Sequence, residues 1–186
     1  MKRILIAISL VVVVLAAAFQ ANALNVDVYA GHSTTGGGTP YSGLTGSFTS
    51  PDILFATNTS YAWHPFNLDS FGADITGSLN VLATGNHTFA LNSDDGSLLF
   101  IDGALVVDNG GPHGAQIVSN SVSLTAGIHP FEVQFFEDFG GPSGVDLSLP
   151  TDVSYSAPVP EPATLLLLGG GLLGLAGYGR RRFSKK

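Results

Sequence analysis

The sequence predicts an all-β domain whose antiparallel strands form a sandwich or a barrel. Between residues 24 and 158 almost no segment shows helical periodicity, and short runs of β-prone residues alternate with turn residues. Phe131, Val133 and Phe135 share one face of a predicted strand, while Glu132 and Gln134 share the opposite face. One buried face and one solvent-exposed face are typical of an antiparallel sheet in a sandwich or a barrel.

The predicted strands follow one another along the chain, separated by turns and loops. They are Asn25–Tyr29, Ile53–Ala56, Asp74–Val81, Asn86–Leu91, Ser97–Ile101, Ala104–Val107, Ile117–Leu124, Pro130–Phe136 and Val145–Leu149. A loop rich in Gly, Ser and Thr is predicted at Gly31–Gly46. Asp95-Gly96 and Asp102-Gly103 lie at two of the breaks, where Asp-Gly supplies the positive φ that tight hairpin turns require.

The first 23 residues have the three parts of a secretory signal peptide. Two basic residues open the segment, and the apolar run Ile4–Phe19 follows. Ala21 and Ala23 then supply the small-x-small site that signal peptidase recognises. We therefore expect an exported protein that begins at Leu24 rather than one held by an uncleaved N-terminal anchor.

The C-terminus contains a second targeting signal. Residues 154–162 form a predicted Pro-rich linker that ends in Pro160-Glu161-Pro162, and residues 163–186 contain an apolar stretch followed by a basic tail. The 16 apolar residues Ala163–Tyr178 would form only about 24 Å of helix, against roughly 30 Å for the hydrocarbon core of a bilayer. The basic tail would stay on the cytoplasmic side.

This arrangement resembles the PEP-CTERM sorting tail, on the strength of the Pro-Glu-Pro motif, the short helix and the basic cluster in that order. The resemblance implies a Gram-negative bacterium and processing by an exosortase. It also implies transient anchoring in the inner membrane, followed by delivery to the outer surface or the extracellular matrix. An ordinary single-pass anchor would explain neither the Pro-Glu-Pro motif nor the short, Gly-rich helix.

Charge is distributed very unevenly along the chain. All 14 acidic residues lie between residues 24 and 179, and that stretch contains no Lys or Arg. Nucleic acid binding is excluded because it depends on Lys and Arg that neutralise phosphates. Clustered carboxylates here need hydrogen bonds or a cation, and calcium is the natural counter-charge. The chain has no Cys, which excludes zinc-thiolate sites and Cys nucleophiles.

No catalytic motif is visible in the sequence. The five His residues show no metal-ligand spacing, and the domain contains neither a Gly-x-Ser-x-Gly elbow nor a phosphate-binding loop. A glycosidase requires two positioned carboxylates, and neither Glu of the domain lies in a recognisable catalytic motif. The sequence therefore predicts a protein that is not an enzyme.

The segment Thr88–Gly103, with Ser-Asp-Asp-Gly at its centre, resembles the hallmark of the protective-antigen-type domain. This β-sandwich family also occurs in yeast flocculins, fungal adhesins and inserts in bacterial glycosidases. Leu24–Gly31 is similar to the opening strand, Phe71–Gly77 to the strand before the hallmark, Val106–His113 to its continuation and Phe135–Leu149 to the closing strands. The resemblance implies an antiparallel β-sandwich over residues 24–153.

The resemblance also implies a metal site. In sugar-binding members, two consecutive aspartates joined by a cis peptide bond chelate calcium, which in turn binds sugar hydroxyls. Asp94 and Asp95 occupy this position, and Asp138 takes the place of the third ligand. Carbonyl oxygens of Phe139, Gly140 or Gly141 would complete the shell, with His113 near the ligand. The alternative is that Asp94-Asp95-Gly96 forms a hairpin turn whose carboxylates cap backbone amides.

Three functions fit these observations. The first is a calcium-dependent carbohydrate-binding module for adhesion or exopolysaccharide association. The second is a structural surface or matrix protein with the same fold and no sugar ligand. The third, an accessory domain of a hydrolase, is disfavoured because the sequence contains no catalytic domain.

Overall fold

The computed structural model describes residues 23–31, 41–55, 63–138 and 140–156. These contain eleven strands. The strands are β1 (Leu24–Gly31), β2 (Ser42–Ser50), β3 (Leu54–Phe55), β4 (Phe71–Val81), β5 (Gly85–Asp94), β6 (Ser97–Ile101), β7 (Ala104–Asn109), β8 (Gln116–Leu124), β9 (Gly127–Glu137), β10 (Gly144–Ser148) and β11 (Val153–Ser156). None of the described residues forms a helix that could cross a membrane.

The strands form two antiparallel sheets, as predicted. The seven-stranded sheet has the order β2-β1-β4-β9-β6-β7, with β11 paired to β4, and the four-stranded sheet has the order β3-β10-β5-β8. Strands β4 and β9 pair over eleven residues, from Phe71 opposite Glu137 to Val81 opposite Gly127. This long pairing makes β4 and β9 the centre of the larger sheet.

The inner faces of the two sheets enclose the core. Alternate residues of β9 are buried there, since Phe131, Val133 and Phe135 are at most 4% exposed. Trp63 covers one side of this core, stacking on Phe55 and meeting the edge of the Phe135 ring. Burial of each large apolar side chain stabilises the fold by about 1.5–3 kcal/mol before entropy is counted.

The structure corrects three predictions about the extent of the strands and the exposure of their faces. The predicted loop Gly31–Gly46 overlaps β2, which begins at Ser42. The predicted linker starting at Ser154 overlaps β11, which continues to Ser156 and pairs with β4. Gln134 was predicted on the solvent-exposed face but is only 8% exposed. That face of the larger sheet is partly covered by Tyr41, whose hydroxyl donates to the Phe135 carbonyl oxygen.

The two ends of the sandwich differ in what they hold. The end at which β5 and β9 finish, with Asp94 and Glu137, is called the rim here. The opposite end contains the turn at residues 102–103 and is called the distal end. The predicted signal peptide up to Asn22, Phe139 and the predicted sorting tail from residue 157 lie outside the described residues.

Candidate functional site

A pocket of about 320 Å³ opens at the rim. It is lined by Asp94, Asp95, Pro112, His113, Gly114, Glu137, Gly140, Gly141 and Pro142. The segment 110–115 leads into β8, and the segment 140–143 leads into β10. The pocket therefore lies over the end of β5, between the two loops that open the neighbouring strands of the smaller sheet.

Residues 94–96, called the rim crossover here, connect β5 of one sheet to β6 of the other. The hairpin turn predicted at Asp95-Gly96 is therefore wrong, because the strands on either side belong to different sheets. The peptide bond between Asp94 and Asp95 is cis, as the family resemblance implies. The side chains of Asp94 and Asp95 have different surroundings.

The Asp95 carboxylate holds three segments together. Asp95 is 5% exposed. Its Oδ1 accepts a hydrogen bond from the His113 backbone N–H at 2.8 Å, and its Oδ2 accepts one from the Asp138 backbone N–H at 3.1 Å. One carboxylate thus ties both pocket loops to the rim crossover.

The Asp94 side chain belongs to the outward-facing row of β5 and lines the pocket. Partial burial raises the pKa of its carboxyl above the ordinary value, and the neighbouring Asp95 charge raises it further. The Ala115 backbone amide and His113 act on this pKa in the opposite direction. Asp94 therefore contributes a carboxylate whose ionised form is disfavoured and would be stabilised by a cation.

A buried network of polar side chains supports the crossover from below. The Ser93 and Ser97 hydroxyls, on either side of the crossover, lie 2.7 Å apart. Asn109 Nδ2 donates to Ser93 Oγ at 2.9 Å and to the Gln116 carbonyl oxygen at 3.1 Å. Gln116 Nε2 donates in return to Asn109 Oδ1 at 2.9 Å. Asn109 thereby fixes the crossover relative to the start of β8.

His113 is held by the same loop. Its Nε2 lies 2.9 Å from the Asn109 carbonyl oxygen, and its Nδ1 lies 2.9 Å from the Gly114 carbonyl oxygen. The imidazole is therefore oriented by backbone carbonyls, while the His113 main chain binds Asp95. This places His113 in the pocket wall.

The structure assembles most of the predicted site residues. Asp94, Asp95, His113, Gly140 and Gly141 all line the pocket. Asp138 is adjacent through its backbone N–H but is not one of the lining residues. Within the described ranges, no three His, Asp or Glu side chains are grouped closely enough to hold a metal ion on their own. Backbone oxygens would have to supply part of any ligand set.

Glu137 is a pocket residue that the sequence analysis missed. It is buried, with 3% exposure, and lines the pocket beside Asp94 and Asp95. Its position was visible in the sequence, because the alternation that buries Phe131, Val133 and Phe135 puts Glu137 on the same face. An acidic residue at the end of a core-facing row is an informative exception.

Comparison with known proteins identifies both parts of the chain. The PA14 domain family model matches residues 25–159, and the PEP-CTERM protein-sorting motif matches residues 158–182. A search of curated proteins found no match.

Several solved structures share the fold. An anti-sigma factor domain-containing protein from Clostridium clariflavum matches with a TM-score of 0.57 and 18% identity over 74% of this chain and 48% of that one. The PA14 domain of the MpAFP antifreeze protein matches with a TM-score of 0.54 and 16% identity, over 73% of this chain and 86% of that one. The PA14 sugar-binding domain from an RTX adhesin matches with a TM-score of 0.52 and 16% identity, over 74% of this chain and 94% of that one.

The chain spans about half the length of the anti-sigma factor domain-containing chains that it matches. At these identities the structural matches establish the fold alone. The family model covers most of the chain, and the sorting motif marks an exported protein. The chain belongs to the PA14 domain family and ends in a PEP-CTERM protein-sorting motif.

Proposed function

We propose that this PA14 domain is a calcium-dependent carbohydrate-binding module of an exported surface protein, acting in adhesion or in association with exopolysaccharide. The observation that carries the proposal is the pair of adjacent carboxylates, Asp94 and Asp95, in a rim pocket. No Lys or Arg lies between residues 24 and 179 to neutralise them. A bound cation would do so.

The donors at the rim fit calcium. Calcium takes six to eight oxygen ligands and accepts both carboxylates and backbone carbonyls. A carboxylate has about four acceptor positions, and the two backbone bonds to Asp95 leave the others free. Asp94 and Asp95 would hold the ion with carbonyl oxygens from residues 139–141. Asp138 would join the ligand set only if its side chain turned toward the pocket, since it is not among the lining residues. The bound ion would supply open coordination positions for sugar hydroxyls.

The pocket chemistry favours binding over catalysis. Glycoside hydrolysis needs two carboxyl groups that act on the scissile bond, whereas the Asp95 carboxylate is occupied by hydrogen bonds from two backbone N–H groups. One solved relative is described as a sugar-binding domain of an adhesin. Other matching structures are of a β-glucosidase and an α-xylosidase, and this chain covers only 14–17% of the length of those enzymes. We infer a binding domain without enzymatic activity.

Export would proceed in two processing steps. Signal peptidase would cleave after Ala23, reading Ala21 and Ala23, and an exosortase would process the tail near Pro160-Glu161-Pro162. We propose delivery to the outer surface or extracellular matrix of a Gram-negative bacterium. Exported protein that retains residues 1–23, or processing that is unchanged when exosortase is deleted, would contradict this route.

The binding claim is tested on a glycan array. Wild-type domain should be retained on specific glycans in calcium and released by a chelator. Asp94→Asn, which removes the charge without a change of size, should lose at least ten-fold in retention. Asp52→Asn alters an exposed carboxylate outside the pocket and should bind like wild type. Retention that ignores both the chelator and Asp94→Asn would refute calcium-dependent recognition.

A structural role without a sugar ligand is the second candidate. It is favoured by the two backbone hydrogen bonds to Asp95, because a carboxylate bonded in this way would stabilise the pocket loops whether or not a metal binds. The same array distinguishes the two functions, since a purely structural domain would show no specific glycan retention in calcium.

A further inference from the structure

The outer face of the four-stranded sheet continues directly from the rim pocket. Asp94 is the last outward-facing residue of β5, and Asn92, Ala90, Thr88 and Asn86 precede it along the same row. The pocket walls are the loops that begin β8 and β10, the strands on either side of β5. A ligand that leaves the pocket toward the sheet therefore meets β5 between two flanking strands.

Most outward side chains of this face, called the hydroxyl face here, are small and polar, and two exposed apolar side chains, Leu54 and Ile117, lie at its two edges beside Asp146 and Asn92. Pairing with β5 brings Ser119, Ser121 and Ser123 of β8 onto it, opposite Ala90, Thr88 and Asn86. Pairing with β10 adds Ser148 and Asp146. Thr88 Oγ1 and Ser121 Oγ lie 2.7 Å apart, so at this pair β5 and β8 present adjoining hydroxyls.

The hydroxyl face is extended as well as polar. From Asp94 to Asn86 the outward row of β5 covers eight residue steps, or about 26 Å of strand. The three serines of β8 are exposed along its side. This length exceeds what one sugar in the rim pocket needs, so the face fits a chain of several sugars.

The opposite face of the sandwich has a contrasting character. On the seven-stranded sheet, Asp27 lies opposite Asp74 across β1 and β4, and Glu132 lies on β9 nearby. Burial, then Glu132 and Asp27, raise the pKa of Asp74 to about 7. Of the outward positions on β3, β10, β5 and β8, only Asp94 and Asp146 carry a carboxylate.

We propose that the hydroxyl face binds the continuing chain of a neutral polysaccharide whose terminal sugar lies in the rim pocket. The proposal rests on the proposed carbohydrate function and adds the ligand class, an extended and uncharged glycan. Serine, threonine and asparagine side chains both donate and accept hydrogen bonds, which matches the hydroxyls of a neutral sugar. Asp146 and the domain's net negative charge would repel an anionic chain.

The test uses a matched pair of Thr→Glu variants. Thr88 is exposed on the hydroxyl face, and Thr49 is exposed on the opposite face, as the β2 partner of the outward Asn25. Calorimetry in calcium would measure binding of neutral linear glucans, galactans and mannans, each as a disaccharide and as an octasaccharide. We expect wild type to bind one octasaccharide at least ten-fold more tightly than its disaccharide.

Thr88→Glu should remove that ten-fold advantage and leave disaccharide affinity within two-fold of wild type, while Thr49→Glu should change neither. Equal affinity of wild type for both lengths, or an unchanged advantage in Thr88→Glu, would overturn the hydroxyl-face site but leave the rim pocket standing. Failure of wild type to bind any of these neutral glycans in calcium would overturn the hydroxyl-face proposal, and retention on the glycan array would then decide the rim pocket separately. A change in oligomeric state of Thr88→Glu, seen by sedimentation velocity, would instead assign the face to a second copy of the chain.

Discussion

The dipeptide Asp-Gly occurs twice in the hallmark segment, and the two copies perform different tasks. Asp102-Gly103 is a two-residue turn between β6 and β7, with positive φ values of 53° and 76°. These values at both positions are the signature of a tight hairpin. Asp95-Gly96 instead belongs to the crossover between the two sheets, and Gly96 does not have a positive φ.

The two glycines are therefore required for different reasons. A Cβ on Gly103 would meet no atom within 4 Å, so only its backbone conformation favours glycine. A Cβ on Gly96 would lie 2.4 Å from Phe136 Cε1 and 2.7 Å from the Gly111 carbonyl oxygen. Local chain geometry determines the first glycine, and packing against distant segments determines the second.

The largest expected effect is that of Gly96→Ala. A rotation of Phe136 cannot relieve the contact with the Gly111 backbone oxygen, so the crossover or the segment after β7 must shift. We expect a loss of about 3 kcal/mol in the free energy of unfolding, in the range of overpacked sites. Urea denaturation in a chelator measures it. A loss below that of Gly103→Ala would contradict the packing explanation.

Asp95→Asn should have the next largest effect on folding. Asp95 now accepts hydrogen bonds from two backbone N–H groups. The Asn side chain would accept only one of them, because its NH2 group would face the other N–H, and two donors cannot bond. Loss of one buried bond and an unsatisfied donor should cost about 2 kcal/mol, measured by the same denaturation without calcium. Asp102→Asn at pH 8.5 is the matched control and should cost much less, because Asp102 is largely exposed.

Gly103→Ala should cost about 1 kcal/mol, because an L-residue is disfavoured at φ 76° while the space around it is open. Gly103→Asn should recover part of this loss, since Asn tolerates the left-handed region better than Ala. Equal stabilities of the Ala and Asn variants in denaturant would show that backbone conformation is not the cause.

The smallest effect concerns Asp102 and His129 at the distal end. Asp102 Oδ2 lies 2.7 Å from His129 Nδ1, and the Thr125 carbonyl oxygen lies 2.9 Å from Nε2. The hydrogen bond to Asp102 and then that to Thr125 raise the pKa of His129. A raised pKa contributes stability that is complete below the unfolded value of about 6.5 and is lost as pH rises through the folded value.

Asp102→Asn should therefore cost about 0.5 kcal/mol more at pH 5.5 than at pH 8.5, a magnitude typical of solvent-exposed ion pairs. Melting curves of wild type and variant at the two pH values give the difference. The reverse order, with the greater cost at pH 8.5, would contradict the assignment of a charged pair.

Sequence patterns predicted the parts of this fold that depend on local chemistry. The alternation in β9 identified the core face, and Asp102-Gly103 identified its hairpin because positive φ is a local requirement. The extent of β2 was missed, since its Gly- and Ser-rich sequence has weak strand propensity and is held by pairing with β1.

The candidate site was predicted through family resemblance more than through local pattern. Asp94, Asp95, His113 and the two glycines do line one pocket. The buried network of Asn109 with Ser93 could not be foreseen, because these residues come from strands of different sheets, 16 positions apart. The burial of Glu137 was predictable from the sequence, because Glu137 is the next residue in the alternating row of Phe131, Val133 and Phe135.

The melting temperature in calcium against that in a chelator tests the central claim most directly. An ion that binds only the native state stabilises it by about 2.7 kcal/mol at a hundred-fold excess over Kd, or roughly 10 °C for a domain of this size. Wild type and Asp52→Asn should show this shift, and Asp94→Asn should lose most of it. Identical melting temperatures of wild type in calcium and in chelator would contradict the calcium site and, with it, calcium-dependent glycan binding.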